Sequence, residues 1–180
     1  MNETIIRKRK LFWSWQDEKQ EAWLGEMSRQ GLHLEGPGTF CSFIFEQGPA
    51  REYSYRLDYG QGKTPDDYFQ LIRDAGWQYL GSKAGWHYWR KEIQAGQIPE
   101  IFTDPTSKIQ KYQRLFASYV TSAPAMYILG LAIFKQYPGR HPLWFIVLYI
   151  SLFMAWIVFA VINAIKIQLR INDLRQKKAL

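Results

Sequence analysis

The sequence predicts a mixed α+β domain followed by two membrane-spanning helices. A pattern of strand, helix, strand and strand occurs twice within the first 91 residues. The last third of the chain contains two long apolar stretches without Asp, Glu, Lys, Arg or His. Each stretch reaches the roughly 20 residues that a helix needs to cross a bilayer core about 30 Å thick.

An internal repeat organises the first half of the chain. Residues 20–36 align with residues 65–81 at a constant offset of 45 positions, so that Gly31 falls on Gly76. In both copies an amphipathic helix ends at a glycine, which readily adopts the left-handed conformation of a helix C-terminus. A short apolar strand follows each glycine. We therefore predict one repeat over about 5–46 and a second over about 50–91.

The second helix shows the clearer apolar spacing. Tyr68, Leu71, Ile72 and Ala75 follow the i, i+3, i+4, i+7 pattern of one helix face. This spacing predicts a single buried stripe made by all four residues.

Residues 52–59 alternate between apolar and polar types. Strict alternation predicts an antiparallel strand with one face in the core and one in solvent. The two predicted faces are Tyr53, Tyr55, Leu57 and Tyr59 on the core side, and Glu52, Ser54, Arg56 and Asp58 on the solvent side.

Two β-α-β-β units predict an α+β fold with one antiparallel sheet and both helices on one face. The order resembles the ferredoxin-like double β-α-β arrangement. It also resembles the paired β-α-β-β units of multidrug-sensing effector domains, which bind amphipathic small molecules in a groove between the repeats. Both arrangements fit the order of elements and stay open at this point. Neither would determine the function, because one fold can carry many functions.

Charge divides the chain at the end of the repeats. Residues 1–104 hold 13 Lys/Arg and 15 Asp/Glu, for a net charge of −2, whereas residues 105–180 hold 10 and 1, for +9. The basic residues flank the apolar stretches rather than cover a folded face, which argues against nucleic-acid binding. Positive residues stay on the cytoplasmic side of a membrane. We expect a cytoplasmic domain over 1–104, then spans at 115–134 and 143–165, with both termini inside and the loop Lys135–Pro142 outside.

Basic side chains near a membrane surface are attracted to anionic lipid headgroups. The membrane is therefore the first expected partner of this chain. The predicted headgroup-binding residues are Lys108, Lys111, Arg114, Lys166, Arg170 and Arg175.

The sequence contains no recognisable catalytic or metal-binding motif. His33, His87 and His141 are isolated, and none lies in a spacing that predicts a metal site. The single Cys41 lacks the companion cysteines of a metal or disulfide motif. We therefore expect a protein that is not an enzyme and holds no cofactor or metal.

Aromatic residues are unusually frequent in residues 1–104. Large rigid rings provide much contact area at a low entropic cost, so they often line ligand grooves and partner-binding surfaces. We expect a small core to bury Trp23 and Trp77. The predicted ligand- or partner-binding residues are Trp13, Trp15, Tyr53, Tyr55, Trp86 and Trp89.

Short segments along the chain resemble a bacterial family known as domain of unknown function 2812. Members of this family typically carry C-terminal membrane helices and are often encoded beside PadR-type transcriptional regulators, which implies a regulatory role. The family has no established catalytic motif to transfer. The segments that carry the resemblance are Lys10-Leu11-Phe12, Glu21-Ala22-Trp23-Leu24, Met27-Ser28, Gly31, Tyr53-Ser54-Tyr55-Arg56-Leu57-Asp58, Tyr68, Ala75-Gly76-Trp77 and Ile101-Phe102-Thr103-Asp104.

These observations favour a membrane-anchored cytoplasmic module that binds a partner protein or a small amphipathic ligand in regulation. A PadR-type regulator is the partner that the resemblance implies, and association with a second copy of the chain is also expected. The alternative is an accessory subunit of a membrane complex such as a multidrug exporter. The absence of ionisable groups from the apolar stretches argues against a transporter or proton pump.

Overall fold

The computed structural model describes residues 4–60, 66–93, 99–101, 105–136 and 142–179. It contains two compact units, Met1–Lys111 and Tyr112–Leu180. The first unit therefore extends beyond residue 104, where the charge pattern places the boundary. The added residues belong to it because Lys108 and Lys111 form ion pairs with Glu100 and Asp17 of the same unit.

The first unit follows the predicted order of strand, helix, strand and strand, twice. In each repeat, the last two strands form an antiparallel hairpin. The elements are β1 (Ile5–Arg9), α1 (Asp17–Arg29), β2 (Leu32–Pro37), β3 (Ser42–Gln47), β4 (Tyr53–Tyr59), α2 (Asp66–Asp74), β5 (Gln78–Lys83) and β6 (Trp86–Glu92).

The strands form two antiparallel three-stranded sheets, with the orders β1-β3-β2 and β4-β6-β5. The last strand of each repeat lies in the centre of its sheet. The prediction of one continuous sheet is therefore wrong. Strands β2 and β5 approach closely, since a Cβ on Gly36 would lie 2.9 Å from the carbonyl oxygen of Leu80. Each carries a register shift, between Leu34 and Gly36 and between Tyr79 and Gly81, and bulges of this kind disrupt ladder pairing.

Both helices end in the way the repeat predicts. Gly31 and Gly76 have φ angles of 78° and 83°, which L-residues with a side chain rarely adopt. The backbone N–H of Gly31 bonds to the Ser28 carbonyl, and that of Gly76 bonds to the Arg73 carbonyl. The two repeats thus share helix ends as well as strand order.

Among its described residues, the first unit has two clusters of buried apolar side chains in its core. The larger lies around α1 and includes side chains of both sheets, and Trp23 packs partly buried against it. The smaller lies between α2 and its sheet. The buried members are Leu24, Met27, Leu32, Leu34, Phe43, Phe45, Tyr55, Leu57 and Tyr88 in the first, and Ile72, Trp77 and Trp89 in the second.

The predicted stripe of α2 is wrong for two of its four residues. Leu71 is 70% exposed and Ala75 is exposed. Phe69 faces the sheet instead, with its ring centre 5.1 Å from that of Tyr79. The helix is therefore rotated toward Phe69, because this places the larger ring rather than Leu71 over the aromatic side chains of the sheet.

The polar face of β4 is covered, contrary to the prediction of a solvent-exposed face. Ser54 and Asp58 are both buried. The Ser54 hydroxyl donates to the carbonyl of Pro99 at 3.3 Å, and the Tyr68 hydroxyl donates to the Asp58 carboxylate at 2.5 Å. Alternation in the sequence therefore located the strand correctly, but segments distant in sequence cover its second face.

The second unit contains most of the long helix α3 (Pro105–Gln136) and the helix α4 (Leu143–Ala179). Within the described residues one helical stretch, Leu143–Gln176, is long and apolar enough to cross a membrane, with a mean hydropathy of 2.7 in its most apolar window. This stretch includes the second predicted span, 143–165.

The first predicted span, 115–134, lies inside α3, and the described residues support the expected hairpin of two transmembrane helices for α4 alone. Hydroxyl side chains occur within residues 115–134. Ser118, Thr121 and Ser122 donate to backbone carbonyls three or four residues earlier in the helix. Within the predicted outer loop Lys135–Pro142, residues 137–141 lie outside the described part of the chain.

Candidate ligand groove and buried charge cluster

A groove of about 220 Å³ opens between the two repeats of the first unit. Its walls come from the segment before α1, the first turns of α1, and the hairpin turns β2–β3 and β5–β6. We call it the aromatic groove, because six of its lining residues are aromatic. Its lining residues are Lys10, Phe12, Trp13, Ser14, Asp17, Gln20, Phe40, Cys41, Phe43, Leu57, Lys83, Ala84, Trp86 and Tyr88.

The two hairpin turns occupy equivalent positions in the two repeats. Phe40 in the first turn and Ala84 in the second both have a φ of 50°, a conformation uncommon for residues other than glycine. Phe40 is 92% exposed at the groove rim. Backbone strain of this kind often occurs at ligand-binding sites, where the surrounding structure holds it in place.

Ring contacts hold the aromatic walls in place. Phe43 contacts Phe12 at a centroid distance of 6.2 Å and Trp23 at 5.1 Å. On the opposite side, Trp86 contacts Tyr59 at 5.3 Å. Edge-to-face pairs such as these favour a fixed geometry, so the walls are largely preformed.

The floor of the groove is polar and buried. The side-chain amide of Gln20 donates to the hydroxyl of Tyr88 at 3.0 Å. Burial raises the pKa of Tyr88, with the bond from Gln20 acting in the opposite direction, so this hydroxyl keeps its proton at neutral pH. Asp17 is also buried, and its Oδ2 lies 2.6 Å from Nζ of Lys111.

The Asp17–Lys111 pair belongs to a larger set of charged residues, which we call the buried charge cluster after this buried pair; its members Glu100 and Lys108 are partly exposed. It joins α1, β4, the segment at residues 99–101 and the start of α3. Its members are Asp17, Glu21, Arg56, Glu100, Lys108 and Lys111.

Glu21 is the most perturbed member of the buried charge cluster. Burial raises its pKa to about 7, with the negative charge of Asp17 acting in the same direction. The charges of Lys111 and Arg56 and a hydrogen bond from the Leu57 backbone N–H act in the opposite direction. That bond, 2.8 Å long, satisfies a donor on the free edge of β4. Glu21 therefore changes charge near neutral pH while it holds α1 against β4.

Lys111 and Arg56 complete the cluster from the other side. Lys111 donates to the Leu57 carbonyl at 3.2 Å as well as to Asp17. Arg56 lies 2.6 Å from Glu100, whose other oxygen lies 3.1 Å from Lys108. Although burial acts to raise the pKa of Glu100, these two cations hold that pKa below its usual value.

The aromatic groove contains two of the six predicted binding residues. Trp13 and Trp86 line it. Trp15 stacks on Trp13 with ring centres 5.6 Å apart and planes at 4°, so it supports the groove from outside its lining.

The other three predicted binding residues lie elsewhere. Tyr55 and Trp89 are fully buried in the core. Tyr53 is half-buried, with the guanidinium of Arg90 4.7 Å above its ring and His33 against its edge. Residue type along β6 could not separate core rings from groove rings, because both faces of this strand carry large rings.

The predicted headgroup residues also have different surroundings. Lys111 is buried with Asp17, and Lys108 is paired with Glu100, so these two contribute to the first unit rather than to a free basic surface. Arg114 is half-buried, and Arg170 lies 3.4 Å from Asp173. The remaining candidates, Lys166 and Arg175, are exposed.

Sequence reasoning missed Gln20, Tyr88, Glu21 and the burial of Asp17. A signal existed, because Asp17, Gln20 and Leu24 follow the i, i+3, i+7 spacing of one helix face. Leu24 is fully buried, and the two polar residues share its face. Polar residues on the apolar face of a helix therefore indicated a buried polar site.

Within the described residues, no group of three or more His, Cys, Asp or Glu side chains is placed to hold a metal ion. His33 bonds to the carbonyl of Pro49 at 2.8 Å, and His87 to the hydroxyl of Tyr79 at 3.1 Å. Burial lowers the pKa of His87. His141 lies outside the described residues.

The family described as "Protein of unknown function (DUF2812)" matches residues 16–123, which include most of both repeats and the start of α3. The chain belongs to this family. No curated protein and no solved structure matches this DUF2812 chain. The aromatic groove and the buried charge cluster are therefore the main basis for inferring what this DUF2812 protein does.

Proposed function

We propose that this DUF2812 protein is a membrane-anchored, non-enzymatic module that binds a small amphipathic ligand in the aromatic groove and acts in regulation. The observation that carries this proposal is the groove itself. It lies between equivalent turns of two repeats, and its apolar walls surround a few buried polar groups. Concave, mostly apolar sites with a small number of placed polar groups are typical of small-molecule sites in proteins.

The size of the groove supports a small ligand. Its volume of about 220 Å³ is below the roughly 300–1,000 Å³ that drug-sized ligands occupy. A molecule of one or two rings fits this space, with its rings against Phe43 and Trp86. Gln20 and Tyr88 would offer hydrogen bonds to any polar group of the ligand that reaches the floor.

The charge cluster supports a regulatory role. Asp17 both lines the groove and pairs with Lys111, so one side chain connects the ligand site with the first turns of α3. A ligand that changes the environment of Asp17 changes the strength of this ion pair. We propose a PadR-type regulator as the protein partner that responds to the change.

Calorimetry on the full chain in lipid nanodiscs tests ligand binding, with 2-naphthol as an uncharged probe and empty nanodiscs as the blank. We expect heat of binding above the blank. Trp13→Ala should weaken binding about tenfold, as truncation of an aromatic anchor typically costs more than about 1 kcal/mol. The matched control is Leu71→Ala, because Leu71 is also an exposed apolar residue but lies outside the groove. If 2-naphthol and its charged analogues give no heat above the blank, the proposed function is refuted.

We propose that α4 is the membrane anchor and that residues 115–134 of α3 form a second span, with both termini in the cytoplasm. The support is the uncharged sequence of that stretch and the basic residues that flank the pair. Labelling of single cysteines by an impermeant maleimide tests it, with native Cys41 in one protein and Arg175→Cys, in a Cys41→Ser background, in another. Both should react from the same side of the membrane. Reaction from opposite sides would show an odd number of crossings.

A second candidate function is that of an accessory subunit in a membrane complex. The apolar stretch of α4 favours it, since none of its most apolar window is buried within the protein and helix partners could cover it. Co-purification with a transporter from native membranes, unchanged by Trp13→Ala, would favour this function over ligand sensing.

A further inference from the structure

We propose that the ligand of the aromatic groove is an anion: a one- or two-ring aromatic compound that carries a carboxylate, bound with its rings in the groove and its charge at Lys10 and Lys83. This inference rests on the proposed function and names the chemical class of its ligand. Three observations on the groove lead to it, and they concern its cations, its single acid and its aromatic faces.

Two lysines lie at the mouth of the groove. Lys10 and Lys83 are among its lining residues, and they come from the first and the second repeat respectively. Lys83 donates to the carbonyl of Gly38 at 2.7 Å, which fixes its ammonium next to the turn that carries Phe40. A carboxylate at this position can accept charge-assisted hydrogen bonds, which are stronger than neutral ones.

The one acidic residue among the described lining residues is Asp17, and it is already neutralised. Its carboxylate lies 2.6 Å from the Lys111 ammonium, with 8% of the lysine side chain and 1% of the aspartate side chain exposed. Lys10 and Lys83 therefore leave the groove with a surplus of positive charge. Such a surplus favours an anionic ligand and disfavours a cationic one.

The aromatic faces do not form a free cage for a cation. Lys10 Nζ lies 5.3 Å from the ring centre of Phe12 and 5.0 Å from that of Trp23, and Lys111 Nζ lies 5.9 Å from that of Trp86. These are cation–π distances. The protein's own ammonium groups therefore already lie over two of the lining rings, Phe12 and Trp86, and an incoming cation would meet repulsion there.

Three probes of one shape separate charge from apolar fit. They are 2-naphthoate, 2-naphthalenemethanol and 2-naphthylmethylammonium, titrated into the full chain in nanodiscs of uncharged lipid, with empty nanodiscs as the blank. We expect the naphthoate to bind about tenfold more tightly than the alcohol, since charge-assisted hydrogen bonds exceed neutral ones by about 1–1.5 kcal/mol. The ammonium compound should bind more weakly than the alcohol.

The lysines are tested by Lys10→Gln and Lys83→Gln, separately and together. The double variant should reduce naphthoate affinity about tenfold, to the level of the alcohol, and leave the affinity for the alcohol unchanged. Lys19→Gln is the control, because Lys19 is exposed on α1 outside the groove. If one of the two single variants does not fold, the other still tests the proposal.

The outcomes distinguish this inference from the proposed function. Equal affinity for naphthoate and alcohol, or tighter binding of the ammonium compound, overturns the anionic ligand but leaves a ligand-binding groove. Unchanged naphthoate affinity in the double lysine variant also overturns it. Absence of binding by all three probes overturns the proposed function itself.

Discussion

The two repeats of the first unit share a topology but bury their helices to different extents. Helix α1 has 13 residues, of which six are buried, whereas α2 has nine, of which one is buried. Helix α1 contacts both sheets: its own, and the edge of β4 through Glu21 and Ser28. The described packing of α2 is against its own sheet, through Phe69 and Ile72.

The two copies of one topology therefore contribute differently to the candidate site. A helix between two sheets can hold polar side chains in a buried position, because partners surround them on every side. Asp17, Gln20 and Glu21 lie at the end of α1 that adjoins the groove and the charge cluster. The copy that packs on one sheet leaves its polar residues Asp66 and Asp67 in solvent. The first repeat thus supplies most of the groove lining, and the second supplies the opposite wall together with Lys83 and Tyr88.

The largest expected effect comes from breaking the ion pair of α1. Lys111→Met leaves the carboxylate of Asp17 buried without its cation, which costs about 3–5 kcal/mol of unfolding free energy. Urea unfolding of the full chain in detergent, followed by tryptophan fluorescence, measures this loss.

Lys108→Met is the matched control for Lys111→Met. It removes a pair with Glu100 in which both side chains are more than one-third exposed, so its cost should be about 0–1 kcal/mol. Asp17→Asn combined with Lys111→Met should recover part of the loss. A cost below about 1 kcal/mol for Lys111→Met would show that the pair is not buried as described.

A pair of identical truncations compares the two helices directly. Leu24→Ala in α1 removes a fully buried side chain and should cost about 3 kcal/mol, because it leaves a cavity in the larger core cluster. Leu71→Ala in α2 should change unfolding free energy by less than about 0.5 kcal/mol, because Leu71 is 70% exposed. The same urea unfolding measurement serves both. Similar costs for the two truncations would show that Leu71 is buried, as the sequence-based prediction for α2 has it.

The third prediction concerns pH. Burial raises the pKa of Glu21 to about 7 from an ordinary 4.5, so this group favours folding most below pH 4.5. That stability is lost as pH rises from 4.5 through 7, by at most about 3 kcal/mol for a shift of this size. Glu21→Gln stays neutral and keeps an oxygen for the Leu57 N–H. The variant should therefore match the native protein at pH 4.5 and exceed its stability by about 2 kcal/mol at pH 8.

Glu26→Gln is the control for the pH profile. Glu26 lies on the solvent side of α1, where it pairs with Arg29. The difference in stability between pH 4.5 and pH 8 should persist in this variant. If Glu21→Gln instead follows the native profile across the whole range, Glu21 is not the titrating group.

The smallest effect compares the glycines that end the two helices. Gly76→Ala should cost about 1 kcal/mol, because a Cβ there meets nothing nearer than the Lys91 side chain at 3.5 Å and only the left-handed backbone is strained. Gly31→Ala should cost about 2 kcal/mol, because its Cβ would also lie 2.5 Å from the Gly48 carbonyl oxygen. Equal melting temperatures of the two variants would show that both helix ends accommodate a Cβ equally well.

Local pattern predicted much of the first unit correctly. The offset of 45 residues located both repeats, because glycine punctuation and apolar spacing act within a few residues of the chain. Trp77 lies in the core as expected, although that expectation comes from the large rings a small core needs and not from this spacing. The spacing did not place the α2 stripe, because whether Leu71 or Phe69 faces inward depends on the sheet that the helix covers.

The candidate site was predictable only in part. The excess of aromatic residues over what a small core needs predicts Trp13 and Trp86 as binding residues, and both line the groove. The same excess predicts Tyr55 and Trp89, which are core residues. Side-chain type does not distinguish these environments, since an aromatic ring suits a core and a groove equally.

By itself, the sequence determined the repeated strand and helix order, the glycines at the helix ends and the apolar character of α4, because each depends on residues close together in the chain. Only the tertiary structure decided that the strands form two sheets, that Lys111 pairs with Asp17, and that equivalent turns of two repeats enclose one groove. Asp17 and Lys111 are 94 residues apart. Such contacts depend on how the repeats pack against each other, which no local pattern records.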